Sequence, residues 1–163
     1  DKPFVEQMKG LCRVADIIVP NLTEACCLTD TDYDSVNEQS YGEIIGKLKE
    51  LCPCPSVTGC DETGKTGVMS AVYYTDKGGA TQRYATEKIE GAFHGAGDVY
   101  VSALVGALAR GIGLDTAVAI AAEFTKDSIK QTALDKTEAR YGLNSESQMY
   151  AYLCALEKAA KRG

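Results

Sequence analysis

Residues 94–98 read His-Gly-Ala-Gly-Asp, and an apolar stretch rich in small residues, VYVSALVGALA, follows at once. A glycine turn lets backbone N–H groups point into one concavity, and a helix fed by it adds its unpaired amides and the positive end of its dipole. Gly95, Ala96 and Gly97 therefore form a candidate anion hole. Asp98 has two readings. It is an ordinary first-turn acid stabilised by the dipole, or a base that takes the proton from a hydroxyl attacking a phosphoryl group while the hole stabilises charge on the group in transit. A second set lies in DIIVPNLTE, residues 16–24. Asn21 and Glu24, one helical turn apart, face the same way and could hold magnesium directly or through water. Their other reading is an N-cap and its capping-box partner. Thr58 ends a further strand, SVTG, where open α/β sheets place their ligands, with a hydroxyl available to phosphate. A core or turn threonine is the alternative.

The elements that must position these residues follow from periodicity. Phe4, Val5, Met8, Leu11 and Cys12 predict a helix over 3–14. ADIIVPN predicts a short buried strand stopped by Pro20, and residues 22–28 a short helix. DTDYD is a polar turn, and Ser35 with Glu38 forms a capping box for a helix to about Leu51. PSVTG predicts a strand, with DETGKT as loop. GVMSAVYYT and ATQRYAT predict two strands joined at Asp76-Lys77-Gly78-Gly79. Helices are expected over 98–110, with Gly111 at C′, and over 115–132. Ser145 with Gln148 caps a last helix to about Lys161. This alternation is an α/β layer pattern whose parallel part comes from the helical crossovers. The chain opens in a helix that leads to a strand, so a sheet begun this way has a bare edge or lacks its centre. The expectation is the rear portion of a larger domain.

Composition sets the outer limits. The chain has 163 residues, 45% hydrophobic and 25% charged, which is ordinary for a soluble domain. A formal charge of −6 argues against a nucleic-acid partner, which wants a basic stripe. No stretch reaches the roughly 18 apolar residues of a membrane span, and no leader sequence opens the chain. The seven cysteines include no CxxC pair, and there is one histidine. Cys52-Pro53-Cys54 with Cys60 could be imagined as a thiolate cluster, but reduced, mostly buried thiols in a cytoplasmic protein are the plainer reading. His94 could donate to a phosphate, and Phe93 and Tyr84 could wall a nucleotide; structural roles are the default for each. Lys65, Lys77 and Arg83 are cations in or near the loop and hairpin ahead of residues 95–98, with solvated charge as their default. Residues 114–129 could lie beside an adenine, although an apolar stripe at helical spacing is usually core.

ADIIVPNLTEACCLT and GAFHGAGDVYVSALVGAL, with SVTG between them, resemble the vitamin-kinase branch of the ribokinase-like superfamily, closest to pyridoxal (pyridoxine, pyridoxamine) kinases, with hydroxymethylpyrimidine kinases next. The resemblance covers nearly the whole chain. It implies the C-terminal portion of a three-layer α/β/α fold with a mostly parallel central sheet and an antiparallel hairpin, so that residues 1–163 form a single partial domain. It implies Asp98 as catalytic base, Gly95, Ala96 and Gly97 as anion hole, Asn21 and Glu24 organising magnesium and phosphates, and Thr58 approaching the phosphates of ATP. Pyridoxal kinases usually carry threonine where this chain has Ala96, whereas many sugar kinases of the superfamily carry alanine there; the hole is unaffected because its donors are backbone. Family members are longer at the front by roughly a hundred residues or more, the part that carries most of the vitamin pocket. The implied activity is ATP-dependent phosphorylation of a B6 vitamer's hydroxymethyl group, with the isolated chain expected to be inactive. Alternatives are a hydroxymethylpyrimidine or sugar kinase, or a non-catalytic nucleotide-binding module. Such kinases commonly form homodimers, but no interface is legible in the sequence.

Overall fold

The computed structural model describes residues 2–64, 67–135 and 142–161. The chain divides into two compact units, Asp1–Arg83 and Tyr84–Gly163. In order, the elements are α1 (Lys2–Cys12), α2 (Leu22–Leu28), α3 (Ser40–Leu48), β1 (Ser56–Gly64), β2 (Gly67–Thr75), β3 (Thr81–Glu87), α4 (Ala96–Ala109), α5 (Leu114–Asp135) and α6 (Met149–Ala160). The three strands form one sheet in the order β1-β2-β3, with β1 and β2 antiparallel.

The first unit is built on α3 and the sheet. Tyr41, Ile44, Ile45 and Leu48 recur at one face of α3 and are all buried, the spacing that turns a helix into a core wall. They pack with Val57, Cys60, Ala71 and Val72 of the strands, which are also buried. The parallel part of the sheet is reduced to two isolated bridges, Ile18 to Pro55 and Asn21 to Thr58. ADIIVPN therefore makes no full strand. Ile18 donates to Cys54 O and accepts from Ser56 N–H, but Pro20 has no N–H to continue the ladder and offers only its carbonyl, to Thr58.

Three further boundaries differ from expectation. DETG, read as loop, continues β1 to Gly64, with Cys60 and Glu62 inward and Asp61 and Thr63 outward; Lys65 and Thr66 lie outside the described residues. The polar character of DETG hid the strand because its inward acid is neutralised. Glu62 is 8% exposed, and its carboxylate accepts from Arg83 Nε at 2.8 and 2.9 Å, from Arg83 Nη2, and from the Tyr73 hydroxyl at 2.5 Å. The Ser35–Glu38 capping box does not form. Ser35 Oγ donates to Asp32 O, Glu38 Oε1 accepts from Thr63 N–H at 2.6 Å, and α3 begins later, without a side-chain cap. Ser145 likewise supplies no side-chain cap; a 3-10 turn over Glu146–Gln148 precedes α6. The turn from β2 to β3 behaves as read: Asp76 Oδ1 accepts from the N–H groups of Gly78 and Ala80, both at 2.9 Å, and Gly79 takes a φ of 81° that favours glycine.

The second unit is helical. Ala103, Leu104 and Ala107 of α4 and Ala117, Val118, Ala121 and Ala122 of α5 are buried, and small side chains let the two axes approach closely. The buried hydroxyls of Thr125, Ser128 and Thr132 each donate to the carbonyl four residues back, so these polar groups enter the core satisfied. Tyr152 of α6 stacks on Phe124 at 4.7 Å and donates to Ala103 O at 2.8 Å.

That hydroxyl reaches Ala103 because residue 106 is glycine: a Cβ there would lie 2.6 Å from Tyr152 Oη. Gly106→Ala therefore trades a helix-propensity gain of about 0.5–1 kcal/mol against a displaced hydrogen bond and overpacking worth about 1–3 kcal/mol. Urea unfolding should show a net loss in the wild-type background and a net gain in Tyr152→Phe. The Glu62 cluster predicts a pH dependence. The Arg83 guanidinium holds the Glu62 carboxyl below its ordinary value, against burial, with the Tyr73 hydroxyl adding to the effect. A depressed folded-state value contributes stability above about pH 4.3, the unfolded value, that is lost as pH falls through the folded one. Glu62→Gln should cost about 2 kcal/mol at neutral pH and make the fall in Tm on acidification shallower.

Candidate functional site

In the first unit, three of the sequence's candidates come together. Asn21 caps α2: its Oδ1 accepts from Glu24 N–H at 2.9 Å, and Glu24 Oε2 accepts from Asn21 N–H at 2.9 Å. The capping-box reading of this pair is thus realised. It does not exclude the other, because Glu24 Oε1 is left over and both residues are exposed. Thr58 is brought alongside by the parallel bridge to Asn21 and by its N–H to Pro20 O at 3.0 Å. A bulge sets its position. Between the pairs Val57–Tyr73 and Cys60–Ala71, Thr58 and Gly59 oppose the single residue Val72, and Gly59 has a φ of 74°. Such a bulge ends regular pairing and re-aims the side chain it carries; no sequence signal beyond Thr-Gly announced it.

In the second unit, residues 95–98 form the start of α4. Gly95 is the N-cap at φ 83°, and no side chain caps the helix. The first intrahelical bond runs from Val99 N–H to Gly95 O at 3.0 Å, so the amides of Ala96, Gly97 and Asp98 precede the ladder. Gly95, Gly97 and Asp98 are exposed. A Cβ on Gly95 or Gly97 would meet nothing within 4 Å, which leaves open space above the turn. An approaching anion would find free N–H donors and the dipole's positive end. Asp98 stands in the same turn, on the exposed side.

The remaining candidates sort themselves. Arg83 is committed to Glu62, while Lys77 is exposed in the β2–β3 turn. His94 is exposed and Phe93 half-buried, its ring lying where a Cβ on Gly91 would come within 2.9 Å. Tyr84 donates to Glu123 Oε1 at 2.9 Å, and with Ile120, Phe124 and Tyr152 it walls a cavity of about 240 Å³, so Tyr84 and the 114–129 helix share one hollow. Burial pushes the Glu123 carboxyl up, but Lys126 and the Tyr84 hydroxyl outweigh it and hold it below its ordinary value. All seven cysteines are unpaired. Burial pushes the Cys60 thiol up to about 12 and raises Cys12 and Cys26, which makes these thiols poor ligands and nucleophiles. No group of three or more His, Cys, Asp or Glu among the described residues could cage a metal, and no described helix is long and apolar enough to cross a membrane.

An α/β chain with an uncapped glycine-fed helix start and an Asn-x-x-Glu turn beside a strand end shares its fold with pyridoxal kinases of known structure. The Lactobacillus plantarum pyridoxal kinase matches with a TM-score of 0.83 at 25% identity, over 97% of this chain and 56% of its own. Pyridoxal kinase of Entamoeba histolytica matches at 0.68 and 27%, over 91% and 50%. A Bacillus subtilis pyridoxal kinase solved as an ADP complex matches at 0.69 and 25%, over 78% and 49%. The sequence matches the phosphomethylpyrimidine kinase family over residues 1–143, and the chain belongs to that family. It thus lies in the vitamin-kinase branch that its motifs resemble. Among the curated proteins compared, none matches. The chain spans about half the length of these solved relatives.

The cap is directly testable. Asn21→Ala removes one side-chain acceptor from α2 and should cost about 1 kcal/mol in denaturant unfolding. Asn21→Ser, which can still cap, should recover most of it.

Proposed function

We propose that these residues are the nucleotide-binding and catalytic part, a single partial domain, of an ATP-dependent kinase that phosphorylates the hydroxymethyl group of a B6 vitamer. The observation that carries the proposal is the start of α4: free amides at Ala96 and Gly97, a left-handed glycine at 95, and a carboxylate at 98 in one exposed turn. Asp98 accepts the proton of the acceptor alcohol. The alcohol oxygen then bonds to the γ-phosphorus, the bond to the ADP oxygen breaks, and the amides of Gly95, Ala96 and Gly97 bind the charge on the transferring group. Asn21 and Thr58 contact nucleotide phosphates. Support comes from the family membership and from the Bacillus subtilis relative, a pyridoxal kinase solved with ADP.

The donors around Asn21 fit magnesium. Magnesium keeps several waters and takes one or two carboxylates together with substrate phosphates rather than a protein cage. Glu24 Oε1 and the Asn21 amide oxygen offer such a partial shell. When bound, the ion neutralises phosphate charge. The unpaired thiols accord with a reducing compartment such as the cytoplasm.

A second acceptor, the hydroxymethyl group of a pyrimidine, is favoured by the family's own description. Both acceptors are primary alcohols on a nitrogen heteroaromatic ring, so one base and one anion hole serve either. Phosphorylation assays with both acceptors, on the complete polypeptide that carries these residues, separate them. Asp98→Asn should lower turnover by about 10²–10⁴-fold with ATP affinity nearly unchanged. Undiminished turnover removes Asp98 from the role of base, and ATP binding without transfer in the unsubstituted protein makes the chain a non-catalytic module.

A further inference from the structure

The hollow of about 240 Å³ in the second unit takes part in no step of the transfer chemistry. Ala119 and Ile120 of α5 and Ala155 of α6 give it apolar walls, and the alanines are small enough to leave room between the helices. The rings of Tyr84, Phe124 and Tyr152 complete the walls. Both tyrosine hydroxyls are already spent, on Glu123 Oε1 and on Ala103 O, so an occupant meets these residues through their rings.

The rim has a definite charge. Glu123, Asp127 and Gln148 line it, and no lysine or arginine among the described residues does. Lys126 spans the two carboxylates from outside the lining, 2.5 Å from Glu123 Oε2 and 3.1 Å from Asp127 Oδ1. One cation against two carboxylates leaves one negative charge unbalanced, with Asp127 Oδ2 and the Gln148 side-chain oxygen left over as acceptors. The helix start beside them does not answer an anion either. The 3-10 turn ahead of α6 engages the amides of Gln148 and Met149 with Ser145 O and Glu146 O, so neither donor is open to a phosphate. A nucleotide, which aromatic walls alone would suit, therefore has the wrong charge for this hollow.

We propose that the hollow binds a small organic cation, a primary ammonium carried on an aromatic body. The ammonium donates to Asp127 Oδ2 and Gln148 Oε1, and the body packs against the alanine walls and the three rings. An apolar cavity with a few convergent polar groups of one kind is the usual form of a small-molecule site, and here those groups are acceptors with surplus negative charge. The proposal is independent of Asp98 and of the acceptor alcohol.

The test labels the alanine methyls of the complete polypeptide that carries these residues and titrates it with 2-phenylethylammonium, following Ala119 and Ala155 by NMR. Saturable shifts at both are expected, with a Kd below about 1 mM. Neutral 2-phenylethanol, which has the same body, should bind at least about tenfold more weakly, and anionic phenylacetate should not bind. Asp127→Asn keeps the shape of the rim and removes its charge; it should weaken the ammonium about tenfold and leave the alcohol unchanged. Ala155→Leu should fill the hollow and abolish the shift at Ala119. Absence of saturable shifts overturns the proposal. Equal affinity for alcohol and ammonium also does, because the hollow would then be an apolar site without a charge preference. Undiminished ammonium binding by Asp127→Asn, or shifts that survive Ala155→Leu, would overturn it as well. None of these outcomes depends on phosphoryl transfer.

Discussion

Backbone amides in the first turn of a helix have no partner within the helix, and the two places where this chain could meet phosphate are two answers to that constraint. At α2 the answer is internal. Asn21 and Glu24 exchange hydrogen bonds with each other's backbone, so the turn is closed and rigid before any ligand arrives. At α4 the answer is withheld. Gly95 has no side chain to offer, and no side chain caps the amides of Ala96, Gly97 and Asp98. The uncapped end forgoes about a kilocalorie of capping energy. Its stability comes instead from the apolar contacts of α4 with α5, where Ala103, Leu104, Ala107, Ala117 and Val118 are buried.

The same economy governs the strand end that carries Thr58. A regular ladder would have fixed residue 58 in the pleat. The Thr58–Gly59 bulge breaks that ladder and turns the Thr58 amide to Pro20, so the threonine joins Asn21. Proline at 20 contributes by what it lacks: with no N–H to give, it interrupts the parallel pairing between the Ile18–Pro55 and Asn21–Thr58 bridges, and the chain passes straight into the cap of α2. The polar interior of the sheet is held separately. Glu62 is tolerated inside β1 only because Arg83 and Tyr73 meet its carboxylate, since an unpaired buried charge would shift toward neutrality or unfold its surroundings.

Much of this was legible in the sequence. The six α-helices among the described residues stand where periodicity and local start and stop signals placed them, because such features recur along the chain whatever surrounds them. The Asp76-Lys77-Gly78-Gly79 turn was legible from local chemistry alone. The motifs were legible as well, GAGD and Asn-x-x-Glu, together with the family they resemble. The failures share a cause. Ser35–Glu38 and Ser145–Gln148 have capping-box spacing, yet Glu38 is drawn to the Thr63 amide across the fold and Ser145 precedes a 3-10 turn. DETG carries no apolar alternation because its inward residue is an acid whose partner lies on another strand.

The sequence by itself determined which residues could do chemistry and which helices and turns would carry them, because those features depend on neighbours within a turn or two along the chain. Only the tertiary structure decided that Thr58 stands beside Asn21 and that Arg83 is spent on Glu62. Each depends on partners roughly twenty to forty residues away, and hydrogen-bond parity and charge pairing at that range are set by packing.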